Sequence, residues 1–291
     1  MKRILWLALS TFLALTATGC DSGPSSQQDG GGKQPQYLSI KGSDTMVHLV
    51  STWAEDFMKT APDADISVTG GGSGTGIAAM LNKTTDICAA SRPMNDKEKK
   101  LAADGKITPQ EIPVARDAIA VVVNPENPVS SLTMDQLRLI FTGKATNWKE
   151  VGGPDAPILV LSRESSSGTF VFFQEHVLAK EDYTQSARLL PGTSALIQAV
   201  VSDRWAITYV GLGFAAEAGG KVKALPVQAP GQNAPVVPSE ASVLSGEYGI
   251  SRPLFFYTNG APQGVSKQFI DFCLSPAGQK IVKDTGYVPV S

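Results

Sequence analysis

Between residues 37 and 291, apolar runs of strand length alternate with stretches whose apolar residues recur at helical spacing. That alternation confines the chain to an α/β architecture with largely parallel central sheets. Met46, Leu49, Val50, Trp53 and Phe57 share one face of a first helix over about 45–59, which Pro62 closes. Strands are read at 66–69, 86–90, 118–123, 158–161, 206–210 and 254–258. Helices are read at 77–81, 133–141, after Thr169 with Phe170, Phe173 and Val177 on one face, and at 194–201, 265–274 and 276–284. Residues 226–240, rich in Pro, Gln and Ser, form a surface excursion, and no internal repeat or heptad is present.

The chain opens with Met1, Lys2 and Arg3, an apolar run over 4–15, and the small residues Ala17, Thr18 and Gly19 before Cys20. A basic head, an apolar core and a small-residue end make 1–19 a signal peptide. The run is shorter than the roughly 20 apolar residues that a bilayer-spanning helix requires. Cys20 after a small residue resembles a lipobox, with Ala17 where Leu is commoner, and predicts an acylated Cys20 as first residue of the mature chain. An ordinary cut nearby with a leftover cysteine is the alternative. Asp21 resembles the signal that keeps lipoproteins of Gram-negative bacteria at the inner membrane. Residues 20–36 offer no apolar side chain that could help bury them and read as a flexible, lipidated tether. The body is therefore expected to be soluble, extracytoplasmic and lipid-anchored.

Removing Lys2 and Arg3 from the 25 basic residues leaves 23 against 27 acidic ones, so no general positive field attracts nucleic acid or acidic lipid. Any anion site must be local. Besides Cys20 there are Cys88 and Cys273, both in apolar surroundings; two separate buried thiols fit them better than a disulfide, which an oxidising compartment would also permit. No His, Cys or carboxylate cluster has metal-ligand spacing, and no cofactor is expected.

Three hydroxyl-rich turns stand out: KGSDTM at 41–46, GGGSGTGI at 70–77 and SRESSSGTF at 162–170, each where a helix begins. A helix start leaves free N–H groups and a partial positive charge, which together favour an anion. Glycine lets backbone approach closely, and Arg92 and Arg163 lie beside two of the turns as sources of planar, bidentate contacts. For any one turn, Ser and Thr as plain N-caps is the ordinary reading. Three such turns together point to an oxyanion site.

The same turns, with AASRPM at 89–94, IFTGKATNWKEVGG at 140–153, PGTSALI at 191–197, AITYVGLGF at 206–214 and GISRPLFFYT at 249–258, resemble in order the substrate-binding proteins of phosphate-specific ABC importers, PstS-like, in their short-chain branch. The resemblance implies a two-lobed periplasmic-binding-protein fold, type II-like, hinged by two crossing strands near AIAVVV and ISRPLFF. Lobe I would take 37–117 plus 254–291 and lobe II 118–253. Inorganic phosphate would sit between them and pass to the permease of an ABC importer, with the protein acting as a monomer rather than as an enzyme. Carried over residue by residue, the phosphate contacts are Ser43, Asp44 and Thr45 on the first turn, Ser73 on the second, and Arg163, Ser167, Gly168 and Thr169 in the R-x-x-x-S-G-T loop, with Arg92 nearby. Long-chain members have Asp after the Ser of the third motif, where this chain has Arg92. A carboxylate that accepts the O–H of hydrogen phosphate repels sulfate. Asp44 is the first candidate for that acceptor, as an alternative to its being a simple N-cap, and Glu164 the second.

Other classes fit less well. A nucleophile elbow needs G-x-S-x-G, and around Ser73 the last glycine is replaced by Thr75. His48 and His176 read as ordinary mid-helix residues. GGGSGTG lacks the Lys of a P-loop, and GLGFAA at 211–216 is followed by no acidic residue from 218 to 239 for a ribose. The same fold holding sulfate or molybdate, or serving as a phosphate sensor, remains open to competition binding.

Overall fold

The computed structural model describes residues 35–290; the signal peptide, Cys20 and all of the tether but its last two residues lie outside the described residues. The strands are β1 (Gln36–Gly42), β2 (Ala64–Thr69), β3 (Ile87–Ala90), β4 (Pro109–Val123), β5 (Leu132–Thr133), β6 (Leu159–Arg163), β7 (Arg188–Leu190), β8 (Ala206–Gly211), β9 (Lys223–Leu225), β10 (Val227–Gln228) and β11 (Ser251–Asn259). The helices are α1 (Val47–Thr60), α2 (Ser73–Leu81), α3 (Asp96–Asp104), α4 (Met134–Phe141), α5 (Gly168–His176), α6 (Thr193–Ser202), α7 (Leu212–Ala218), α8 (Glu240–Leu244), α9 (Gly264–Leu274) and α10 (Pro276–Asp284). Gln36, read as tether, is the first residue of β1.

One curled sheet runs in the order β2-β1-β3-β11-β4-β8-β6-β7, with β9 also on β4. Its two ends are parallel, β2 and β3 flanking β1 and β7 and β8 flanking β6. Its middle is antiparallel, through β3, β11, β4 and β8. The expectation of largely parallel sheets thus holds at the flanks and fails at the centre. The reason is β4: residues 109–118 pair with β11, while 119–123 pair with β8 and in part with β9. A continuous strand that leaves one half of the sheet for the other meets antiparallel partners on the way.

The core divides accordingly. Ala115 and Leu254 pack with Trp53, Phe256 and Phe269 on one side, whereas Ala118 and Ile250 pack with Phe141, Trp148 and Tyr209 on the other. Trp53 is fully buried, its ring edge-on to Phe256 and its indole N–H donating to Gly278 O at 2.8 Å, which ties α1 to α10. Truncating such a residue costs about 3–5 kcal/mol. Cys88 and Cys273 are buried, unpaired and in different clusters; burial pushes both thiols up, so neither is a reactive thiolate.

Candidate anion-binding site

Of the three hydroxyl turns, only one is a side-chain cap. Ser167 is the N-cap of α5, and its Oγ accepts from the N–H groups of Thr169 at 3.2 Å and Phe170 at 3.3 Å. Ser43 precedes a 3-10 turn, Asp44–Met46, that leads into α1, and its side chain makes no cap bond. Ser73 is the first residue inside α2, after Gly72 at φ 95°. Ser73 Oγ instead accepts from Ser91 N at 3.0 Å and lies 3.2 Å from Ser91 Oγ. The hydroxyls of Ser43 and Ser73 are therefore free of the capping duty that would have explained them.

The turns meet at the seam between the two halves. Thr45 Oγ1 and Thr169 Oγ1 are 2.7 Å apart, and Gly74 N donates to Ser166 O at 3.0 Å. A Cβ on Gly168 would come within 2.3 Å of Ser73 Oγ and 2.7 Å of Ser91 Oγ, so only glycine allows this approach. Tyr287 donates its hydroxyl to Thr45 O and pins the leading turn from beneath. Ser43, Thr45, Ser73, Arg92, Arg163, Ser167, Gly168 and Thr169 are all buried, and Asp44 is half-buried.

Each arginine in this region has its own carboxylate. Arg163 donates through Nη2 to Asp44 Oδ2 at 2.6 Å and to Pro191 O, through Nη1 to Thr193 Oγ1, and through Nε to Leu190 O. Four of its five donors are thereby engaged. Asp44 accepts on its other oxygen from Gly71 N at 3.0 Å. Each oxygen of the first candidate acceptor thus accepts one hydrogen bond, and Glu164, the second, is exposed. Arg92 is clamped by both oxygens of Glu98 at 2.7 and 2.8 Å, leaving a buried, unpartnered Nε. Burial disfavours its charge, but the hydrogen bonds and charge of Glu98 more than offset that and raise its pKa.

The third pair went unread in the sequence. Asp117 on β4 and Arg252 on β11 are register partners in the crossing strands, 0% and 3% exposed. Arg252 Nη2 donates to Asp117 Oδ2 at 3.1 Å and to Thr169 Oγ1 at 2.9 Å, and lies 3.4 Å from Thr45 Oγ1. Its Nε and Nη1 are buried without any partner. Asp117 Oδ1 accepts from Leu212 N at 3.1 Å. Burial raises the Asp117 carboxyl and lowers the Arg252 guanidinium, each opposed by the other's charge. A signal was available: a charged residue stands at the mouth of each apolar stretch read as a crossing strand, in RDAIAVVV and in ISRPLFF.

His48 is the second residue of α1 and His176 the last of α5, neither mid-helix; His176 stacks on Phe172 with its Nδ1 3.0 Å from Phe172 O. Among the described residues no group of His, Cys, Asp or Glu is placed to hold a metal ion, and no helix is long and apolar enough to cross a membrane.

Residues 26–277 match the PBP superfamily domain. The phosphate-binding protein PstS of Bacillus subtilis (strain 168) is 33% identical over 100% of this chain and 94% of its own length. PstS of Pseudomonas aeruginosa is 32% identical over 87% of this chain and 83% of its own. A Clostridium perfringens structure with bound phosphate, assigned as a phosphate ABC transporter substrate-binding protein, superposes with a TM-score of 0.80 at 34% identity, covering 88% of this chain and 100% of that one. An ABC-type phosphate transport receptor from Vibrio cholerae gives 0.68 at 28% identity, over 86% of this chain and 99% of that one. The fold is that of the periplasmic binding proteins, and this chain belongs to the PstS family within the PBP superfamily.

Proposed function

We propose that this protein binds free inorganic phosphate at the seam where the three turns meet and delivers it to an ABC-type importer. The observation that carries the reading is Arg252: two nitrogens of a buried guanidinium lack any partner, beside the hydroxyls of Thr45, on the turn that leads into α1, and Thr169, in the first turn of α5. Leaving such donors unmet costs about 1–3 kcal/mol each, and an oxyanion meets them. Because Arg92, Arg163 and Arg252 are matched by Glu98, Asp44 and Asp117, the anion is held by directed donors and helix starts rather than by surplus positive charge. The contacts are Ser43, Thr45, Ser73, Ser167, Gly168 and Thr169, the last free donor of Arg163, the Nε of Arg92 and the open donors of Arg252.

The two lobes are 37–117 plus 254–291 and 118–253, with β4 and β11 as the hinge. The change of core cluster between Ala115 and Ala118, and between Ile250 and Leu254, supports that division. Phosphate touching both lobes favours the closed arrangement over the open one. The protein works outside the cytoplasm, monomeric, on a lipid anchor at Cys20 that keeps it near the permease and raises its effective concentration there. It is a carrier rather than an enzyme, in keeping with relatives that are named binding proteins.

Calorimetry of the mature protein with phosphate, sulfate and molybdate tests the reading. Micromolar or tighter binding of phosphate alone, about 8 kcal/mol or more, is expected. Equal or tighter binding of sulfate or molybdate would assign the seam to another oxyanion.

A further inference from the structure

Resting on the phosphate reading and the lobe division above, we infer that the C-terminal strap, residues 285–290, is a third hinge strand, and that Tyr287 on it is a positioning residue that sets Thr45 for the anion. The strap leaves α10 through a fixed stop. Gly286 stands at φ 80°, its N–H donates to Lys283 O at 3.0 Å, and the N–H of Tyr287 donates to Val282 O at 2.9 Å. Tyr287 and Val282 are buried in the same cluster, the apolar contact that goes with such a stop.

Beyond it the strap joins β4. Arg116 N donates to Val288 O at 2.7 Å and Val288 N to Arg116 O at 3.0 Å, an antiparallel exchange of both backbone bonds. Arg116 lies between Ala115, which packs in one core, and Ala118, which packs in the other. The strap changes core at the same level: Tyr287 is buried with Ala115 and Leu254, and its neighbour Val288 with Ala118 and Ile250. It therefore crosses between the halves beside β4 and β11.

Tyr287 links that crossing to the candidate site. Its hydroxyl donates to the carbonyl of Thr45, and Thr45 Oγ1 stands 2.7 Å from Thr169 Oγ1 across the seam and 3.4 Å from Arg252 Nη2. Burial pushes the phenol well above its ordinary range, so it stays protonated and remains a donor. From lobe II, α7 rests against the same ring. A Cβ on Gly213 would come within 2.7 Å of both Tyr287 Cε2 and Thr285 O, so glycine is required there. One side chain thus touches the core of lobe I, the leading turn and a helix of lobe II. Holding the Thr45 carbonyl fixes the turn Asp44–Met46, and a turn ordered in advance lowers the cost of binding.

A buried tyrosine with a satisfied hydroxyl is ordinarily a packing residue, so the test must separate positioning from packing. Tyr287→Phe keeps the ring and removes the O–H. Calorimetry on the mature protein should show phosphate affinity reduced about tenfold, a loss typical of one buried hydrogen bond. In a Thr45→Val background the same change should cost less than about twofold, since no hydroxyl is left to position. Equal losses in both backgrounds, or no loss in either, would reduce Tyr287 to packing. The hinge role is read on the unaltered protein by amide hydrogen exchange. Arg116 and Val288 N–H should exchange slowly and gain nothing from added phosphate, whereas Gly74 N, which donates to Ser166 O across the seam, should gain protection. Fast exchange at Arg116 and Val288, or protection that rises with phosphate in step with Gly74, would overturn the hinge assignment. Failure of the unaltered protein to bind phosphate would instead overturn the reading beneath, and the Thr45 role with it.

Discussion

Two aspartate–arginine pairs close the seam, and they are built for opposite purposes. Asp44 and Arg163 meet at the rim, at 2.6 Å, from different halves of the molecule, and the Asp44 side chain is 18% exposed. Asp117 and Arg252 meet at the floor, at 3.1 Å, from adjacent positions on β4 and β11 that are already held in register by the sheet. The rim pair is satisfied by protein on nearly every donor. The floor pair is longer, wholly desolvated and leaves two guanidinium nitrogens without a partner. A shorter ion pair is therefore no guide to which pair would meet a ligand; unmet hydrogen-bonding capacity in a dry place is the better indicator.

The largest expected effect is at the floor. Arg252→Ala strands Asp117 as a buried charge without its partner, which typically costs about 3–5 kcal/mol of stability. It also removes the open donors, so phosphate affinity should fall by about a hundredfold or more, on the order of 3 kcal/mol. Thermal melts and calorimetry read the two losses separately. A variant that melts and binds like the unaltered protein would erase the contrast between floor and rim.

Next in size is Gly168→Ala. The added methyl would meet Ser73 Oγ at 2.3 Å across the seam, so the closed arrangement must open by some tenths of an ångström or more. Affinity should drop about tenfold to a hundredfold with little change in melting temperature, because closure, not either core, is obstructed. Scattering with and without phosphate checks it. A variant that still compacts fully on adding phosphate would show that the close approach is incidental.

These variants also mark what the sequence made legible. The turn at Gly168 was readable as a helix start because such a start exposes N–H groups and Ser is a common N-cap, the duty that Ser167 performs. The β6, β8 and β11 segments were readable from apolar runs of the right length. Arg252 was passed over because its pairing depends on register: only alignment across the sheet with Asp117 turns two isolated charges into a buried ion pair. The partners of Arg163 were hidden for the same reason, since the carbonyls of Leu190 and Pro191 that take its donors arrive from 27 and 28 residues away. The helix α3 escaped periodicity altogether because Ala102 is its one fully buried residue; its Asn95–Glu98 capping box was the available sign. The antiparallel centre of the sheet was hidden because strand direction is set by connections, not by composition.

The smallest expected effect is at the rim, and it sharpens the comparison most. Asp44→Asn keeps an oxygen for Gly71 N and removes only the charge facing Arg163, whose contacts with Thr193, Leu190 and Pro191 persist. The pair is largely buried, but the amide keeps its bond to Gly71 and Arg163 keeps three other acceptors, so stability should change by about 1 kcal/mol and phosphate affinity by about fivefold or less. Sulfate, if it binds at all, should weaken in step, because a latch that holds the seam shut does not distinguish what lies beneath it. A double-mutant cycle of Asp44→Asn with Arg163→Gln should return a coupling below about 1 kcal/mol, against several for Asp117→Asn with Arg252→Gln. Should the rim cycle return the larger coupling, or Asp44→Asn weaken phosphate while improving sulfate, then Asp44 is the discriminating carboxylate and the roles of the two pairs exchange.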